Sequence, residues 1–249
     1  MEKPMLKLMD LLTEGVHDKG IFKAVFLAGG PGSGKSYVAQ QLYGIPEKFN
    51  ISMSGMKMIN QDKEYKFLLK KHGFDPEWLD TYPEDVFNHI SDEMRGFTRD
   101  LAAARKQGYM KGKLGMIIDG TGHKFQKIKT EKTRLEAEGY DTYMVFVNTT
   151  LEVAQKRNKE RSRVLPADLV KDSWNDVQKN IGGFQSLFGG GSGFVIVDNS
   201  DTLSEKAAEK KFSTLVKSHA NKWAKSSIKN PIGKKWVKDQ LRLKNAGIK

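Results

Sequence analysis

The feature that most constrains this chain is a glycine-rich turn between an apolar stretch and a helical pattern. Residues 21–30, IFKAVFLAGG, are apolar and rich in β-branched and aromatic side chains, which predicts a buried strand. Residues 36–42 have a helical pattern, and between the two lies Gly29-x4-Gly34-Lys35-Ser36. This spacing matches the phosphate-binding loop (P-loop) pattern. A strand, such a loop and a helix in that order predict an α/β domain with an anion site at one edge of its sheet.

Each part of this loop suits the phosphates of a nucleotide. Glycines let backbone N–H groups approach phosphate oxygens, and the positive end of the following helix points at the same anion. Lys35 is expected to reach the β- and γ-phosphates, and the Ser36 hydroxyl to ligate Mg²⁺. The residues predicted to bind ATP are Gly29, Gly30, Pro31, Gly32, Ser33, Gly34, Lys35, Ser36 and Tyr37.

Further apolar runs alternate with helical patterns along the chain. The later predicted strands cover residues 56–60, 114–122, 141–148 and 194–197. The later predicted helices cover residues 84–106, 128–139, 150–161, 166–181 and 201–226, and residues 189–193, GGGSG, are predicted to be a flexible connector. This alternation predicts a parallel sheet of about five strands with helices on both faces. The expected division is an N-terminal extension (1–20), a core (21–200) and a basic, mainly helical tail (201–249).

Composition excludes some classes of site and concentrates charge at one end. The 249 residues include no cysteine, which excludes disulfides, thiolate metal sites and cysteine nucleophiles. No apolar run is long enough to span a membrane, and the start lacks the pattern of a secretory signal, so we expect a cytoplasmic protein with no membrane partner. Of the net charge of +12, residues 205–249 carry +10.

The basic tail has two interpretations. Its lysines are interleaved with Phe212, Trp223 and Trp236, a pattern that suits nucleic acid, with cations on phosphates and aromatic rings on bases. Alternatively, the tail is a solvated helix whose Phe212, Leu215 and Val216 pack on the core.

The rest of the chain favours a kinase over a hydrolase. No Asn-Lys-x-Asp guanine-binding motif is present, and Asp119 of the strand MIID is followed by Gly120 rather than by the glutamate common in motor ATPases. A kinase needs a carboxylate that takes the proton of the attacking hydroxyl, and Asp62 after the second strand is placed for it. It also needs a polar acceptor loop, for which residues 119–124, DGTGHK, are suitable. His123 in this loop is a candidate substrate contact.

The third expected part is a lid with arginines that stabilise the charge of the transferring phosphoryl group. Residues 156–166, KRNKERSRVLP, supply Arg157, Arg161 and Arg163 between two predicted helices. We therefore expect Lys35, Asp62 and these arginines to be catalytic.

The motifs GGPGSGKS, INQD, IIDGTG, EAEGYDTYMVFV and KRN…R.R..P resemble, in order and spacing, the zeta-toxin family of P-loop kinases and the allied phage polynucleotide 5′-kinases. The resemblance covers about residues 22–200. It implies a P-loop kinase fold, Asp62 as general base, Asp119 and Thr121 on the acceptor or metal side, and ATP and Mg²⁺ as cofactors. It further implies that Arg157 and Arg163 flank the lid, with Arg161 as an alternative, and that residues 198–200 lie near the adenine.

The expected activity is ATP- and Mg²⁺-dependent transfer of a phosphoryl group to a hydroxyl of a sugar nucleotide or a polynucleotide. A polynucleotide 5′-hydroxyl kinase, a nucleic-acid-associated phage structural protein and a simple ATPase are the alternatives. Leu12-Thr13-Glu14 resembles the end of the capsid-targeting peptides of large tailed phages, although an amphipathic helix packed on the core explains the same segment. An antitoxin-like or phage capsid partner, and packaging into a virion, follow as hypotheses.

Overall fold

The computed structural model of the protein describes residues 16, 20–45, 52, 55–75, 82–160, 164–200 and 205–247. Five strands form one parallel sheet in the order β2-β3-β1-β4-β5. They are β1 (Lys23–Ala28), β2 (Lys57–Ile59), β3 (Met116–Asp119), β4 (Asp141–Asn148) and β5 (Phe194–Asp198). The predicted α/β class, with about five parallel strands, is confirmed.

Helices connect the strands and cover both faces of the sheet. The first five are α1 (Lys35–Tyr43), α2 (Gln61–Lys71), α3 (Glu84–Lys111), α4 (Phe125–Ala137) and α5 (Leu151–Lys159). The others are α6 (Ala167–Lys179), α7 (Ile181–Phe188), α8 (Glu205–Leu215), α9 (Asn221–Lys225) and α10 (Pro231–Asn245). A π-helical turn, Val216–Ala220, joins α8 to α9.

Alternation along the strands builds a separate core on each face. Val25 and Leu27 of β1 belong to a buried cluster with α1, α8 and α9, whereas Ala24, Phe26 and Ala28 belong to a second cluster with α4 and α7. Successive side chains of a strand point to opposite faces. An all-apolar strand therefore requires cover on both sides, and the helices supply it.

The strand register brings the functional loops to one end of the sheet. Leu27 pairs with Asp119, Ile59 with Ile118 and Asn148 with Asp198. All five strands therefore end at the same side, which we call the carboxyl edge; the opposite side is the amino edge. Ligands of open parallel sheets bind at the carboxyl ends of the strands.

Helices α6 and α7 differ from the sequence prediction. Residues 166–181 were predicted as one helix. In the structure α6 ends at Lys179, and a second helix, α7, begins at Ile181 and continues to Phe188. Burial of Phe184 and Phe188 stabilises α7 despite its two glycines, since tertiary packing outweighs helix propensity. Within residues 189–193, predicted as a flexible connector, Gly190–Ser192 form a 3₁₀ turn.

The basic tail packs against the sheet as far as the structure describes it. Phe212 and Trp223 are only 4% and 3% exposed, inside the core cluster of α1, and Leu215 and Val216 pack against that cluster. Trp236 of α10 lies edge-on to Phe22 at 5.4 Å. The interpretation that Phe212 and Trp223 stack on bases is therefore wrong, because both rings are enclosed by the protein; the packing alternative is confirmed.

Two sequence predictions concern the N-terminal peptide and the division of the chain into domains. Leu12, Thr13 and Glu14 lie outside the described residues, so the capsid-targeting resemblance stays a prediction, as does the three-part domain division. None of the helices that the structure describes is both long and apolar enough to cross a bilayer.

Candidate active site

The glycine-rich loop curls back at the carboxyl end of β1. Gly32 and Gly34 have φ of 75° and 80°, in the left-handed region that favours glycine. A Cβ at Gly32 would overlap the Ala154 carbonyl oxygen, and one at Gly34 would overlap the Asn199 amide. Both glycines are therefore required by conformation and by space. The loop runs directly into α1, whose first N–H groups and dipole face its centre.

Lys35 and Ser36 stand at the start of α1. The Lys35 Nζ donates a hydrogen bond to the Gly29 carbonyl oxygen at 2.8 Å, which holds the ammonium over the loop. Ser36 and Tyr37 are exposed, and the Tyr37 ring contacts Phe212 edge-on at 5.4 Å. The loop therefore offers a cation, backbone donors and a hydroxyl on one concave surface.

The loop after β2 places Asp62 in the first turn of α2. Asn60 caps this helix, since its Oδ1 accepts a hydrogen bond from the Lys63 N–H at 3.0 Å. The same side chain donates from Nδ2 to Asp119 Oδ2 at 2.7 Å. Asp62 is exposed. Asn60 was missed by the sequence analysis; an Asn between a strand and a helical pattern was the available signal.

Asp119 at the end of β3 has the most strongly shifted pKa among the acids that the structure describes at this edge. Burial raises its pKa from 3.8 to about 6, the Lys35 ammonium opposes that rise, and the charge of Asp62 adds to it. Asp119 Oδ1 is buried and has no hydrogen-bond partner, while Oδ2 accepts from Asn60. Strand order explains the grouping, because β2 and β1 flank β3.

The acceptor loop after β3 is tied to its surroundings through its backbone. The Gly29 N–H donates to the Thr121 carbonyl at 3.2 Å, and Asn180 Nδ2 donates to the carbonyls of Gly122 and His123 at 3.0 Å each. Thr121 Oγ1 and His123 Nδ1 are in hydrogen-bond contact. Burial, followed by the charge of Lys124, lowers the pKa of the His123 imidazole, which favours its neutral form.

Arg157 approaches the phosphate loop from α5. Its Nη1 is buried without a hydrogen-bond partner and lies 3.6 Å from the position that a Cβ on Gly34 would occupy. Asn158, 3% exposed, donates to the Leu165 carbonyl at 2.8 Å and accepts from the Leu165 N–H at 3.1 Å. Arg161 and Arg163 lie outside the described residues, so their placement in the lid stays a prediction.

The loop after β5 closes the other side of the phosphate loop. Asn199 Nδ2 donates to the Ser33 carbonyl at 2.8 Å, and the Thr150 N–H donates to Ser200 Oγ at 3.1 Å. The sequence analysis expected residues 198–200 near the adenine but assigned no contact between Asn199 and the phosphate loop. This contact joins residues 166 positions apart and depends on the pairing of β4 with β5.

Unpartnered polar atoms are concentrated at the carboxyl edge. Buried polar atoms in native proteins nearly always have a hydrogen-bond partner. Among the side chains that the structure describes, four of the six exceptions belong to the loops after β1, β3 and β4 or to α5: Ser33 Oγ, Asp119 Oδ1, Thr149 Oγ1 and Arg157 Nη1. The set contains donors and acceptors around the glycine loop, and a bound polar ligand would complete it.

The sequence profile of the zeta toxin family matches residues 12–204. This chain belongs to the zeta toxin family. The membership agrees with the P-loop, the five-stranded parallel sheet and the sequence resemblance, and it makes the protein a P-loop phosphotransferase of the kinase type. The match ends before the last 45 residues of the chain.

Comparison with solved structures gives matches at low sequence identity. The structure of the PezAT chromosomal toxin–antitoxin system of Streptococcus pneumoniae matches with 15% identity and a TM-score of 0.50, covering 88% of this chain and 94% of that one. The Pnkp1/Rnl/Hen1 RNA repair complex matches with 17% identity and a TM-score of 0.46, covering 66% of this chain and 46% of that one. Shikimate kinase from Bacteroides thetaiotaomicron matches with 15% identity and a TM-score of 0.42, covering 78% and 97%. No curated protein matches the sequence.

Proposed function

We propose that the protein transfers the γ-phosphoryl group of ATP to a hydroxyl of a sugar nucleotide or of a polynucleotide. One observation carries this proposal: at the carboxyl edge Asp119 feels the charges of both Lys35 and Asp62, and its buried Oδ1 has no hydrogen-bond partner. A simple ATPase does not need an exposed carboxylate such as Asp62 in addition to Asp119 beside the nucleotide. An enzyme that activates an acceptor hydroxyl does.

The residues take separate roles in this reaction. Backbone N–H groups of Gly32, Gly34, Lys35 and Ser36, together with the Lys35 ammonium, bind the β- and γ-phosphates. Asp62 accepts the proton of the acceptor hydroxyl. The acceptor oxygen forms a bond to the γ-phosphorus while the bond between that phosphorus and the β–γ bridging oxygen breaks, and ADP leaves. Arg157 donates a hydrogen bond to the negatively charged oxygens of the transferring phosphoryl group, which also gives its buried Nη1 a partner.

The donor set also fits a magnesium ion. Mg²⁺ prefers oxygen ligands and keeps waters and nucleotide phosphates, so one or two protein oxygens suffice. Asp119 Oδ1 and Ser36 Oγ would hold it, and the unpartnered buried carboxylate oxygen is the observation that supports this assignment. When bound, the ion neutralises charge on the β- and γ-phosphates. Thr121 and His123 would contact the acceptor, and residues 198–200 the adenine.

The test is transfer of γ-labelled phosphate from ATP to a panel of acceptors: 5′-hydroxyl DNA and RNA, UDP-N-acetylglucosamine, and water alone. Asp62→Asn is the diagnostic variant, with Asp92→Asn, an exposed acid of α3, as its matched control. Label on one acceptor class, lost only in Asp62→Asn, supports the proposal and names the acceptor. Phosphate released to water at the same rate in both variants would show an ATPase instead.

A polynucleotide is the second candidate partner, favoured by a line of cations on α10. Lys234, Lys238 and Arg242 follow one another at intervals of four residues and line a cavity of about 580 Å³ that has no acidic residue in its lining. Residues four apart share a helix face. We propose that this face binds phosphates of a nucleic acid without reading bases, and that affinity falls steeply as salt rises. Unchanged affinity between low and high salt would contradict it.

The proposed partners and location rest on one structural neighbour and on sequence motifs. One structural neighbour belongs to a toxin–antitoxin system, which agrees with the hypothesis of an inhibitory antitoxin-like partner for this chain. A phage capsid partner, and location in the host cytoplasm or in a virion, follow from sequence motifs alone.

A further inference from the structure

Three side chains form a fixed group between α2 and α3. Tyr65 Oη donates to Ser91 Oγ at 3.2 Å, and Arg95 Nε donates to the same oxygen at 3.1 Å. The guanidinium carbon of Arg95 lies 5.6 Å from the centroid of the Tyr65 ring. Ser91 is only 5% exposed, so the anchor of this group is inside the protein. Packing of Leu68 and Leu69 against α3 holds the two helices together.

The group stands beside the proposed base. Tyr65 follows Asp62 by three residues on α2, so the two side chains share one flank, with about 5–6 Å between their Cβ atoms. Helical side chains lean toward the N-terminus of their helix, here toward Asp62 and the carboxyl edge. Glu64 points to the other flank, where it pairs with Arg105. The Tyr65 flank therefore lies next to the acceptor hydroxyl that Asp62 would activate.

The chemistry of Arg95 suits an anion. Its Nε is engaged by Ser91 and its plane is held near the Tyr65 ring, which limits the freedom of the side chain. Its terminal amino groups make no hydrogen bond or ion pair with the residues that the structure describes, and the side chain is exposed. A guanidinium held in this way can donate two parallel hydrogen bonds to a phosphate at little further cost in side-chain entropy.

We propose that Arg95, positioned by Tyr65 and Ser91, binds a phosphate group of the acceptor close to the hydroxyl that is phosphorylated. The acceptor is then a phosphate-bearing molecule, either the first phosphodiester of a 5′-hydroxyl polynucleotide or the diphosphate of a sugar nucleotide, and not a neutral or carboxylate-only sugar. This inference rests on the proposed function, because it places the acceptor beside Asp62.

The first experiment compares acceptor kinetics of the wild type and Arg95→Ala. Loss of a charge-assisted hydrogen bond should raise the acceptor KM by about 10–100-fold, with the loss falling on the acceptor KM and not on that for ATP. Arg95→Lys should recover part of it, since it keeps the charge but not the planar fork. Arg134→Ala, an exposed arginine on α4, is the matched control and should behave as the wild type.

A neutral acceptor separates phosphate binding from general damage. An oligonucleotide with a methylphosphonate at its first linkage, and N-acetylglucosamine beside UDP-N-acetylglucosamine, remove the anion and keep the hydroxyl. The wild type and Arg95→Ala should use these neutral acceptors equally poorly. An equal loss on charged and neutral acceptors would overturn the proposal and leave Arg95 a structural residue.

Equilibrium binding keeps the inference testable if no acceptor turns over. A 5′-hydroxyl dinucleotide and UDP-N-acetylglucosamine are titrated into wild type and Arg95→Ala with saturating ADP and Mg²⁺. Binding of either probe that weakens about 10-fold or more in Arg95→Ala supports the phosphate site even without transfer, and only the proposed function then fails. Transfer with an unchanged acceptor KM, or equal binding by both proteins, overturns the Arg95 assignment and leaves the kinase proposal standing.

Discussion

The two edges of the sheet treat buried polar groups in opposite ways. At the carboxyl edge, Ser33, Asp119, Thr149 and Arg157 each have a buried side-chain atom without a partner. At the amino edge, the buried charges of Lys23 and Asp141 are both paired, at 2.7 Å. Most of the unpartnered buried atoms that the structure describes thus lie at one end of the sheet, whereas the buried charged pair at the other end is complete.

The amino edge is completed by the C-terminal part of the chain. Asp141 accepts hydrogen bonds from the Lys229 and Asn230 N–H groups, the shortest at 2.9 and 2.8 Å, besides that of Lys23. The Asn230 side chain donates to the Glu136 carbonyl at 2.8 Å and caps α10. Burial lowers the pKa of Lys23, and the hydrogen bond from Lys23 to Asp141 opposes this. This group fastens the start of α10 to β1 and β4.

The contrast separates residues that hold the fold from residues that act on a ligand. A buried polar group with all its bonds made contributes to one native structure. A buried group with bonds unmade destabilises the ligand-free protein, and it is retained where a ligand completes it. Substitutions at the two edges should therefore change different measured quantities.

The largest expected effect is that of a substitution at the carboxyl edge, which should change kcat and leave stability unchanged. Asp62→Asn removes the proposed proton acceptor and should lower kcat by about 10²–10⁴-fold. Because Asp62 is exposed, the free energy of unfolding should stay within about 0.5 kcal/mol of the wild type. Steady-state kinetics and urea unfolding on the same preparation check both statements. A variant that keeps its rate but unfolds more easily would reverse the comparison.

The second largest expected effect is that of a substitution at the amino edge, which should lower stability and leave activity unchanged. Asp141→Ala leaves the Lys23 ammonium buried without its partner and should lower the free energy of unfolding by about 3–5 kcal/mol. Activity per folded molecule should be unchanged, since the site is at the far edge. Asp176→Ala, whose exposed pair with Lys179 is 3.2 Å long, is the control and should lose less than about 1 kcal/mol. A similar loss in both would show that the Lys23 pair has no special role.

A third substitution should make the ligand-free protein more stable. Asp119→Asn removes a carboxylate whose pKa is raised to about 6 by burial, so at pH 7 it should raise the free energy of unfolding by about 1–3 kcal/mol. The pKa of Asp119 in the folded protein lies above the ordinary aspartate value of 3.8, so wild-type stability is lost as pH rises from about 4 to 6 and the advantage of the variant grows over the same interval.

Activity should move in the opposite direction. Asp119→Asn should lose Mg²⁺-dependent transfer, and Mg²⁺·ATP binding by the wild type should weaken as pH falls below about 6. Thermal unfolding at pH 4, 5, 6 and 7 with and without Mg²⁺·ATP measures both. Equal stability of the two proteins at all four values would contradict the buried charge.

The smallest effect tests a satisfied group at the carboxyl edge. Asn199→Ala removes a hydrogen bond of 2.8 Å to the Ser33 carbonyl and should weaken ATP binding by about 3–10-fold. Isothermal titration with a non-hydrolysable ATP analogue measures the change. Ser192→Ala, which removes an exposed hydrogen bond of 3.0 Å to Gly189 on the way into β5, serves as control and should bind ATP like the wild type.

Sequence reasoning located the residues of the site well where position along a strand was sufficient. Asp62 follows one predicted strand and Asp119 lies towards the end of another, and parallel strands end at a common edge, so their proximity could be expected. Helix α2 was not predicted: its exposed face is lysine-rich, and only Tyr65, Leu68 and Leu69 mark one apolar face within its eleven residues. Its cap, Asn60, was missed with it.

Contacts between distant segments were beyond reach. Lys23 and Asp141 are 118 positions apart, and Ser33 and Asn199 are 166 apart. Such pairs depend on strand order and on how helices cross, which no local pattern records. The grouping of Tyr65, Ser91 and Arg95 is of the same kind, since it needs the packing of α2 on α3.

The sequence by itself determined the α/β class, the phosphate loop and the residues at the ends of the strands, because these follow from hydrophobic period and from the geometry that glycine permits. Only the tertiary structure decided that Phe212 and Trp223 are core residues, that burial raises the pKa of the Asp119 carboxyl, and that Asp141 fastens α10. Burial and desolvation depend on what every other segment places nearby, and they exist only once the chain has packed.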